Sequence, residues 1–416
     1  MKSLKKIPNK LINIFRLAKA AQIYLGDIPI PVANEPLHFL IMGATGAGKT
    51  VALDEMVNCC IGRGDRLIIV DPNGHSLEYH ARPGDVVLNP FDTRCPGWSI
   101  FNEFRAPYDY ERFAKSAIPD ATNSSDQAWH GYAQLLFSQT CRTLVVGGKM
   151  STQQLLFWLI ESEIKDLAGL LVGTPASGLF EAGAEKALAS TRFVLTRFLS
   201  PLQYLQPGDF SLRDWLESGT GNLYITWRQD MHAALKPLIS GWIDILTTAI
   251  LSLPLDGNRR IWLFLDELAS MERLSSLEDG LTKGRKHGLR VVAGLQSVAQ
   301  LDVIYGKDQA TVLRSCFRNL VVLGGSNTDP YTAEEASKGL GQCEVERQHI
   351  NYSQGSNGGT VTRSTQLVVE YAVLPSQIMS LPSLAGFIKL AGDFPIGRIR
   401  LRYCNLAFCT PSFIPR

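Results

Sequence analysis

The sequence predicts an α/β protein with a mostly parallel central sheet, interrupted once by a block made only of helices. Three observations carry this. Short apolar runs alternate with helical segments after Pro36 and again after about residue 220, the pattern of strands joined by crossover helices. Between about Cys95 and Pro207 helical periodicity runs on without a clear strand. A glycine-rich turn ending in Lys49-Thr50 separates the first apolar run from the first helix.

Composition sets the bounds. With 416 residues, 45% hydrophobic and 19% charged, the chain can bury a large core and is neither disordered nor fibrous. Its 41 basic and 39 acidic residues leave a net charge of +2, so any nucleic acid must be held by local basic patches. The 8 cysteines form no C-x-x-C pair and no zinc array, and are expected to be buried, reduced thiols of a cytosolic protein. The most apolar stretch, Pro237 to Leu255, carries Asp244 and lies between two strand-like runs. It is expected to be a buried core helix and not a membrane span.

Residues 1–30 form a distinct segment. Lys2, Lys5, Lys6, Lys10, Arg16 and Lys19 precede the first acid, Asp27, and polar residues fall every third position from Leu11 to Leu25. Such a basic amphipathic helix either lies on an anionic membrane surface or packs as an ordinary terminal helix, and periodicity does not separate the two. Strands are then expected at His38–Met42, Leu67–Val70 and Val86–Leu88, with a helix from about Val51 to Ile61 ending at Gly62 and Gly64. The helical block follows, with helices at Tyr108–Ala117, Asp126–Leu144, Thr152–Ile160, Ile164–Leu171 and Leu179–Leu199. Its size suggests a domain inserted at 96–210 between two parts of a sheet domain, 31–95 and 211–416. Strands resume at Leu223–Thr226, Ile261–Leu265, Val291–Ala293 and Leu320–Leu323. The Ser/Gly/Asn/Thr-rich stretch Asn351–Ser364 reads as a mobile loop, before strands at Gln366–Val373, Phe387–Leu390 and Arg398–Tyr403.

The run Gly43-Ala44-Thr45-Gly46-Ala47-Gly48-Lys49-Thr50 fits G-x-x-x-x-G-K-[ST]. Its glycines let backbone N–H groups wrap phosphate oxygens. Lys49 supplies charge for the β- and γ-phosphates, and the Thr50 hydroxyl can ligate Mg2+. The apolar run Ile261–Leu265 ends in Asp266-Glu267. Asp266 would hold Mg2+ through its water shell, and Glu267 would polarise the water that attacks the γ-phosphate of ATP. Gln296, just past the strand Val291–Ala293, could contact that phosphate. The segment Lys283–Arg290 is dense in positive charge. It reads equally as an arginine finger for a neighbouring subunit, a DNA-phosphate contact or a solvated helix end.

The runs HFLIMGATGAGKT, RGDRLIIVDPNG, LNPFDTRCPGWSIFNE, GNLYITWRQDM, WLFLDELASMERLSSLEDGLTKGRKHGLRVVAGLQS and NLVVLGGS closely resemble the cytosolic part of conjugative type IV secretion coupling proteins, the TrwB/TraD family. The resemblance extends from about Ile28 to Gly397. It implies a RecA-like P-loop NTPase domain with an inserted all-α domain, assembled as a hexameric ring. It implies DNA-dependent ATP hydrolysis that moves single-stranded DNA, with its relaxase, to a type IV secretion channel during conjugation, with duplex DNA also bound. By position it makes Lys49 and Thr50 the phosphate-loop pair, Asp266 and Glu267 the metal-binding and catalytic acids, Arg285 the arginine finger and Gln296 the γ-phosphate sensor. Family members usually begin with two transmembrane helices, and none is read in this sequence. Either the sequence is a truncated form or it relies on another membrane partner, and the resemblance implies a place in the cytoplasm at the bacterial inner membrane. An ATP-switched adaptor that docks protein substrates on the channel is the competing reading. A small-molecule P-loop kinase gives no reason for the helical block.

Overall fold

The structure, a computed structural model, describes residues 22–355 and 358–416. The basic stretch 1–21 lies outside them. A hairpin of β1 (Ile23–Leu25) and β2 (Ile28–Ile30) precedes the sheet strands β3 (Phe39–Met42), β4 (Arg66–Pro72), β5 (Val86–Leu88), β6 (Leu223–Trp227), β7 (Ile261–Leu265), β8 (Leu289–Leu295) and β9 (Asn319–Leu323). A ribbon of β10 (Gln342–Gly355) and β11 (Gly358–Tyr371) follows, then β12 (Ala385–Lys389) and β13 (Gly397–Arg400). The large sheet has the order β13-β12-β9-β3-β8-β7-β4-β6-β5. It is parallel from β9 to β5, and the β12–β13 edge is antiparallel.

Every residue of β3, β6, β7 and β8 is buried, which is why these strands read as unbroken apolar runs. Successive side chains serve opposite faces. Leu40, Ile68, Leu263 and Val291 pack into one apolar cluster, while Phe39, Ile41, Ile69, Phe264 and Val292 pack into the other. The helix Lys49–Arg63 belongs to the second cluster through Ala52, Met56 and Val57. The first cluster continues into the helical block through Phe113, Phe137 and Phe198, and takes in Trp242 of the helix His232–Ser252. That helix is long and apolar enough to cross a membrane, but it lies buried here, as its position between two strands predicts. Its buried Asp244 accepts hydrogen bonds from Ser116 Oγ and the Ser276 N–H, both at 2.6 Å. These bonds let a carboxylate sit in the core.

Between β5 and β6 the chain forms only helices and turns. Where it enters and leaves this block, its two strands of backbone are tied together. Trp98 N–H donates to Gln206 O at 3.0 Å, and Phe210 N–H donates to Gly97 O at 3.2 Å. A Cβ on Gly208 would come within 2.7 Å of Gly97 Cα, so the crossing needs glycine. Buried Glu103 fastens it from beneath, accepting from Trp98 Nε1 and Leu212 N–H, both at 2.8 Å.

Several expectations are corrected. The helical reading that ran to Leu25 fails at its end, because Ile23–Leu25 pairs with Ile28–Ile30 across Gly26, whose φ is +59°. The N–H of Gly26 is held by Glu55 Oε2 at 2.6 Å, and Ile23, Leu25 and Ile30 are fully buried. The stretch read as the loop Asn351–Ser364 belongs to the antiparallel ribbon β10–β11. The part of β11 from Arg363 to Leu367 faces solvent on both sides and has no alternation to read. The helix expected at Leu179–Leu199 begins only at Glu185, after Gly183 with φ +96°. That expected at Thr152–Ile160 changes to a π turn at Phe157. The last strand stops at Arg400, not Tyr403. The cysteines are all free, but Cys343, Cys404 and Cys409 are exposed, contrary to expectation.

His38 locks the start of β3. Its Nδ1 accepts from the Val291 N–H at 3.0 Å, and its Nε2 bonds the Leu281 carbonyl at 2.9 Å. The ring is therefore the neutral Nε2–H tautomer. Burial lowers its pKa to about 4, with the Arg290 and Arg285 charges adding to the effect. Because the folded value lies below the ordinary 6.5, the unfolded chain takes up the proton first as pH falls. The contribution is complete above about pH 6.5 and is lost toward pH 4, on the order of 3 kcal/mol in all. The thermal midpoint of the parent should therefore fall more steeply between those pH values than that of His38→Gln, which cannot titrate. Equal slopes in the two proteins would remove His38 from the acid response.

Candidate functional site

The parallel pairing decides which residues meet. Met42 lies beside Leu295, and Leu265 beside Ala293, so the segments that leave β3, β7 and β8 emerge at the same edge of the sheet. From β3 comes Gly43–Gly48, which leads into the helix Lys49–Arg63. The turn is suspended between neighbours: Gly43 N–H donates to Leu295 O at 3.1 Å and Ala44 N–H to Gly324 O at 2.8 Å. Gly48 has φ +110°, and a Cβ there would lie 2.8 Å from a Leu384 methyl. Both its conformation and its surroundings require glycine.

Lys49 folds back over this turn and donates from Nζ to Gly43 O at 2.7 Å. Burial lowers the pKa of its ammonium, and the carboxylates of Glu267 and Asp266 oppose that shift. These two acids directly follow β7. Burial raises the pKa of Asp266, against the attraction of Lys49 and His75. It raises that of Glu267 as well, against Lys49. Both Glu267 oxygens are shielded from solvent without a hydrogen bond of good geometry. Gln296 closes β8, and its Oε1 accepts from Thr45 Oγ1 at 3.0 Å. Gly294, two residues earlier, lets the chains approach, since a Cβ there would lie 2.0 Å from Asp266 O.

These groups line one cleft of about 590 Å³. Ala44, Thr45, Gly46, Gly48, Lys49, Thr50, Asp266, Glu267 and Gln296 of the predicted set all face it. Gly43 contributes the carbonyl that holds Lys49, and Ala47 is buried beneath, its carbonyl accepting from the Leu384 N–H at 3.0 Å. Among the described residues no cluster of three or more acids, histidines or cysteines forms a metal cage. Mg2+ takes one or two protein ligands and completes its shell with phosphate and water. Thr50 and Asp266 have the oxygen donors for it. Arg285 is not in the cleft. It lies exposed in the turn Gly284–His287 that precedes β8, at the opposite edge of the sheet, where its charge acts on His38.

Sequence reading missed part of the lining: Asp54, His75, Tyr79 and the segment Tyr403–Leu406. A local sign existed for His75, which follows Asn73 and Gly74, both at positive φ, in the turn after β4. Asp54 lies one helical turn beyond Thr50 and accepts from both His75 and His80, each at 2.9 Å. Asp71, at the end of β4, is held by the Leu77 N–H at 2.8 Å, yet burial pushes its pKa up to about 7.

The order β9-β3-β8-β7-β4, with a phosphate loop after β3 and the acid pair after β7, defines a RecA-like P-loop nucleotide-binding domain. Within that class the chain belongs to the type IV secretion coupling proteins. The family profile described as "Type IV secretion-system coupling protein DNA-binding domain" matches residues 22–402. The chain is 32% identical over 411 residues to the coupling protein TraD of Escherichia coli, covering 96% of this chain and 57% of TraD. It is 29% identical over 203 residues to the conjugal transfer protein TraG of Agrobacterium fabrum, covering 48% of this chain and 31% of TraG. The unbound structure of the conjugative coupling protein TrwB superposes with a TM-score of 0.89 at 46% identity, covering 95% of this chain and 92% of that one. TrwB in complex with ADP and Mg2+ gives a TM-score of 0.88, also at 46% identity, over 95% and 91% of the two chains.

The Asp54 pair has a direct check. The hydrogen bond that His75 donates to Asp54 raises the His75 pKa above 6.5 and outweighs burial, with the Asp54, Asp71 and Asp266 charges adding to it. Replacing Asp54 by Asn should lower the His75 value in an NMR titration. An unchanged value would mean that the pair does not form.

Proposed function

We propose that this chain is the motor part of a conjugative coupling protein. It hydrolyses ATP with Mg2+ in a DNA-dependent way and drives single-stranded DNA, with its bound relaxase, toward a type IV secretion channel. The carrying observation is that Lys49, Thr50, Asp266, Glu267 and Gln296 lie just beyond the ends of three separate strands and line one cleft. Family membership supports the DNA partner, and the nucleotide-bound TrwB structures support the cofactors. The chain spans 57% of the length of TraD, so the roles below concern the motor.

In this reading the Gly43–Gly48 turn presents backbone N–H groups to the phosphates. Lys49 exchanges the Gly43 carbonyl for β- and γ-phosphate oxygens. Thr50 and Asp266 hold Mg2+, which when bound neutralises phosphate charge. Glu267 takes the proton of the attacking water, and the burial that raises its pKa makes it a stronger base than a solvated carboxylate. With Oε1 engaged by Thr45, Gln296 has its NH₂ free to donate to the γ-phosphate. Arg285 cannot reach the phosphates of its own subunit from the far edge of the sheet. It serves as the finger for a neighbour in a hexameric ring on the inner membrane. The helical block 96–210 acts as a separate unit that handles DNA.

Two tests follow from these roles. Lys49→Ala should lose both affinity and turnover, the latter by roughly 10²–10³. Glu267→Gln should still bind ATP while hydrolysis falls roughly 10²–10⁴; wild-type hydrolysis by Glu267→Gln would end its role as base. The DNA-dependent part of the reading requires single-stranded DNA to raise the parent's ATPase rate. The finger has its own test. Specific activity should rise with protein concentration, and mixing inactive Arg285→Ala subunits with inactive Lys49→Ala subunits should restore activity. Such fingers contribute about 10³–10⁵ in rate elsewhere. Activity that stays flat on dilution, with no rescue on mixing, would leave Arg285 as a DNA contact or a helix-end cation.

A further inference from the structure

A net charge of +2 over 416 residues gives no general attraction for a polyanion, so a DNA partner needs a place where cations gather without acids. The last 46 residues are such a place: they hold five cations, Lys389, Arg398, Arg400, Arg402 and Arg416, against one acid, Asp393. Three of the five fall at alternate positions on β13 and just beyond it.

β13 is the last strand of the sheet. It pairs with β12 on one side, Phe387 beside Arg398 and Ala385 beside Arg400, and no strand lies on its other side among the described residues. Alternation sends Ile399 and Leu401 inward, where they are 4% and 2% exposed and join the apolar cluster of the helix Lys49–Arg63. The Leu401 N–H donates to Leu384 O at 2.7 Å and ties the chain down just past the end of the strand. The β1–β2 hairpin clamps the strand closely, since a Cβ on Gly397 would lie 2.4 Å from Ile28 Cδ1 and one on Gly26 3.0 Å from Arg400 O. Arg398, Arg400 and Arg402 take the remaining positions and are exposed.

These three cations are not consumed by the protein itself. The guanidinium groups of Arg398 and Arg400 have no ion pair or hydrogen bond among the described residues, and that of Arg398 rests over the Phe387 ring at 5.6 Å. Arg402 meets Asp27 at 3.5 Å, but the two side chains are 78% and 79% exposed, and such a pair contributes little. Charge on an edge strand also guards against edge-to-edge pairing. Any charged side chain meets that need, lysine above all, and it does not call for arginine at three successive outward positions.

We propose that Arg398, Arg400 and Arg402 form a ladder that holds the phosphate backbone of single-stranded DNA along the outer edge of β13. The inference deepens the DNA-dependent reading above and rests on it. Side chains on one face of a strand recur about every 6.7 Å. Successive phosphates of a nucleic acid strand are separated by one sugar and its ester bonds, a comparable distance, so each guanidinium can meet its own phosphate. Arginine suits the task because its planar fork donates two parallel hydrogen bonds to phosphate oxygens. Such contacts position a strand without reading its sequence, as a translocating motor requires. Phe394 and Tyr403, 39% and 78% exposed, flank the ladder in the chain and offer rings on which unpaired bases stack, whereas a duplex keeps its bases covered. The ladder ends where Tyr403 enters the lining of the nucleotide cleft, so the held strand passes beside the ATP site of the same subunit.

The test titrates the full chain with labelled oligothymidylate over a series of salt concentrations. Each lost phosphate contact should flatten the slope of log affinity against log salt by about 0.7. Arg400→Gln should therefore flatten it by about that much. Arg398→Gln, Arg400→Gln and Arg402→Gln together should flatten it by about 2, with affinity at about 0.1 M salt down roughly a hundredfold. The matching triple Lys variant keeps the charges and should keep the slope. Lys307→Gln, Arg318→Gln and Lys338→Gln together remove the same charge elsewhere and should leave it unchanged. Vesicles of phosphatidylglycerol should not displace the oligonucleotide; displacement that requires the three arginines would assign them to lipid headgroups and overturn the proposal. A triple Gln variant with the parent's affinity and slope overturns the ladder and leaves the DNA reading in place. A parent that neither binds the oligonucleotide nor hydrolyses ATP faster in its presence overturns both.

Discussion

Three charges are taken out of water together at one edge of this sheet, and much of the surrounding structure serves to keep them there. Burial disfavours the charged form of all three; Lys49 and the two acids favour each other's charge, while Asp266 opposes the ionisation of Glu267. The balance is incomplete, since the Glu267 oxygens lack partners of good geometry. The apolar strands β3, β7 and β8 provide the rigidity required. Their side chains fill both faces of the sheet, so the loops beyond them have fixed origins.

The opposite edge is held by a different set of charges. Glu35 is fully buried and paired with Arg63 at 2.6 Å and Arg290 at 3.3 Å, and His38 joins β3 to β8 in its neutral form. A buried pair is expensive to break, about 3–5 kcal/mol, because the remaining charge has no water. These contacts set the positions of β3 and β8 at their starts. They therefore bear on the loops at their ends, one strand length away. Arg285 lies on this edge, in the turn Gly284–His287, away from its own cleft.

Most of the lining of the cleft was legible in the sequence because its residues sit in short motifs whose spacing is imposed by local geometry. A lysine after a glycine turn and acids after an apolar strand need no knowledge of the rest of the chain. The family resemblance added the expectation of a finger at Arg285 and of an inserted domain. The buried strands were legible for a related reason: a strand covered on both faces must be apolar throughout, and Ile261–Leu265 was read to the residue. Elements whose stability comes from elsewhere were not. Ile23–Leu25 is a strand because Gly26 turns it onto Ile28–Ile30, and the β10–β11 ribbon is defined by register between its two strands.

The sequence by itself determined the fold class, the phosphate loop, the acid pair and the long buried helix, since each follows from periodicity or from contacts within a few residues. Only the tertiary structure decided what joins them. It set Gln296 against Thr45, 251 positions apart, through the parallel alignment of β3 and β8. It brought Tyr403–Leu406 over the cleft by anchoring the segment beyond them to Asp92 and Glu78. No local pattern encodes such a crossing, because the residues that cross are chosen by where the chain is tied down and not by their own propensities.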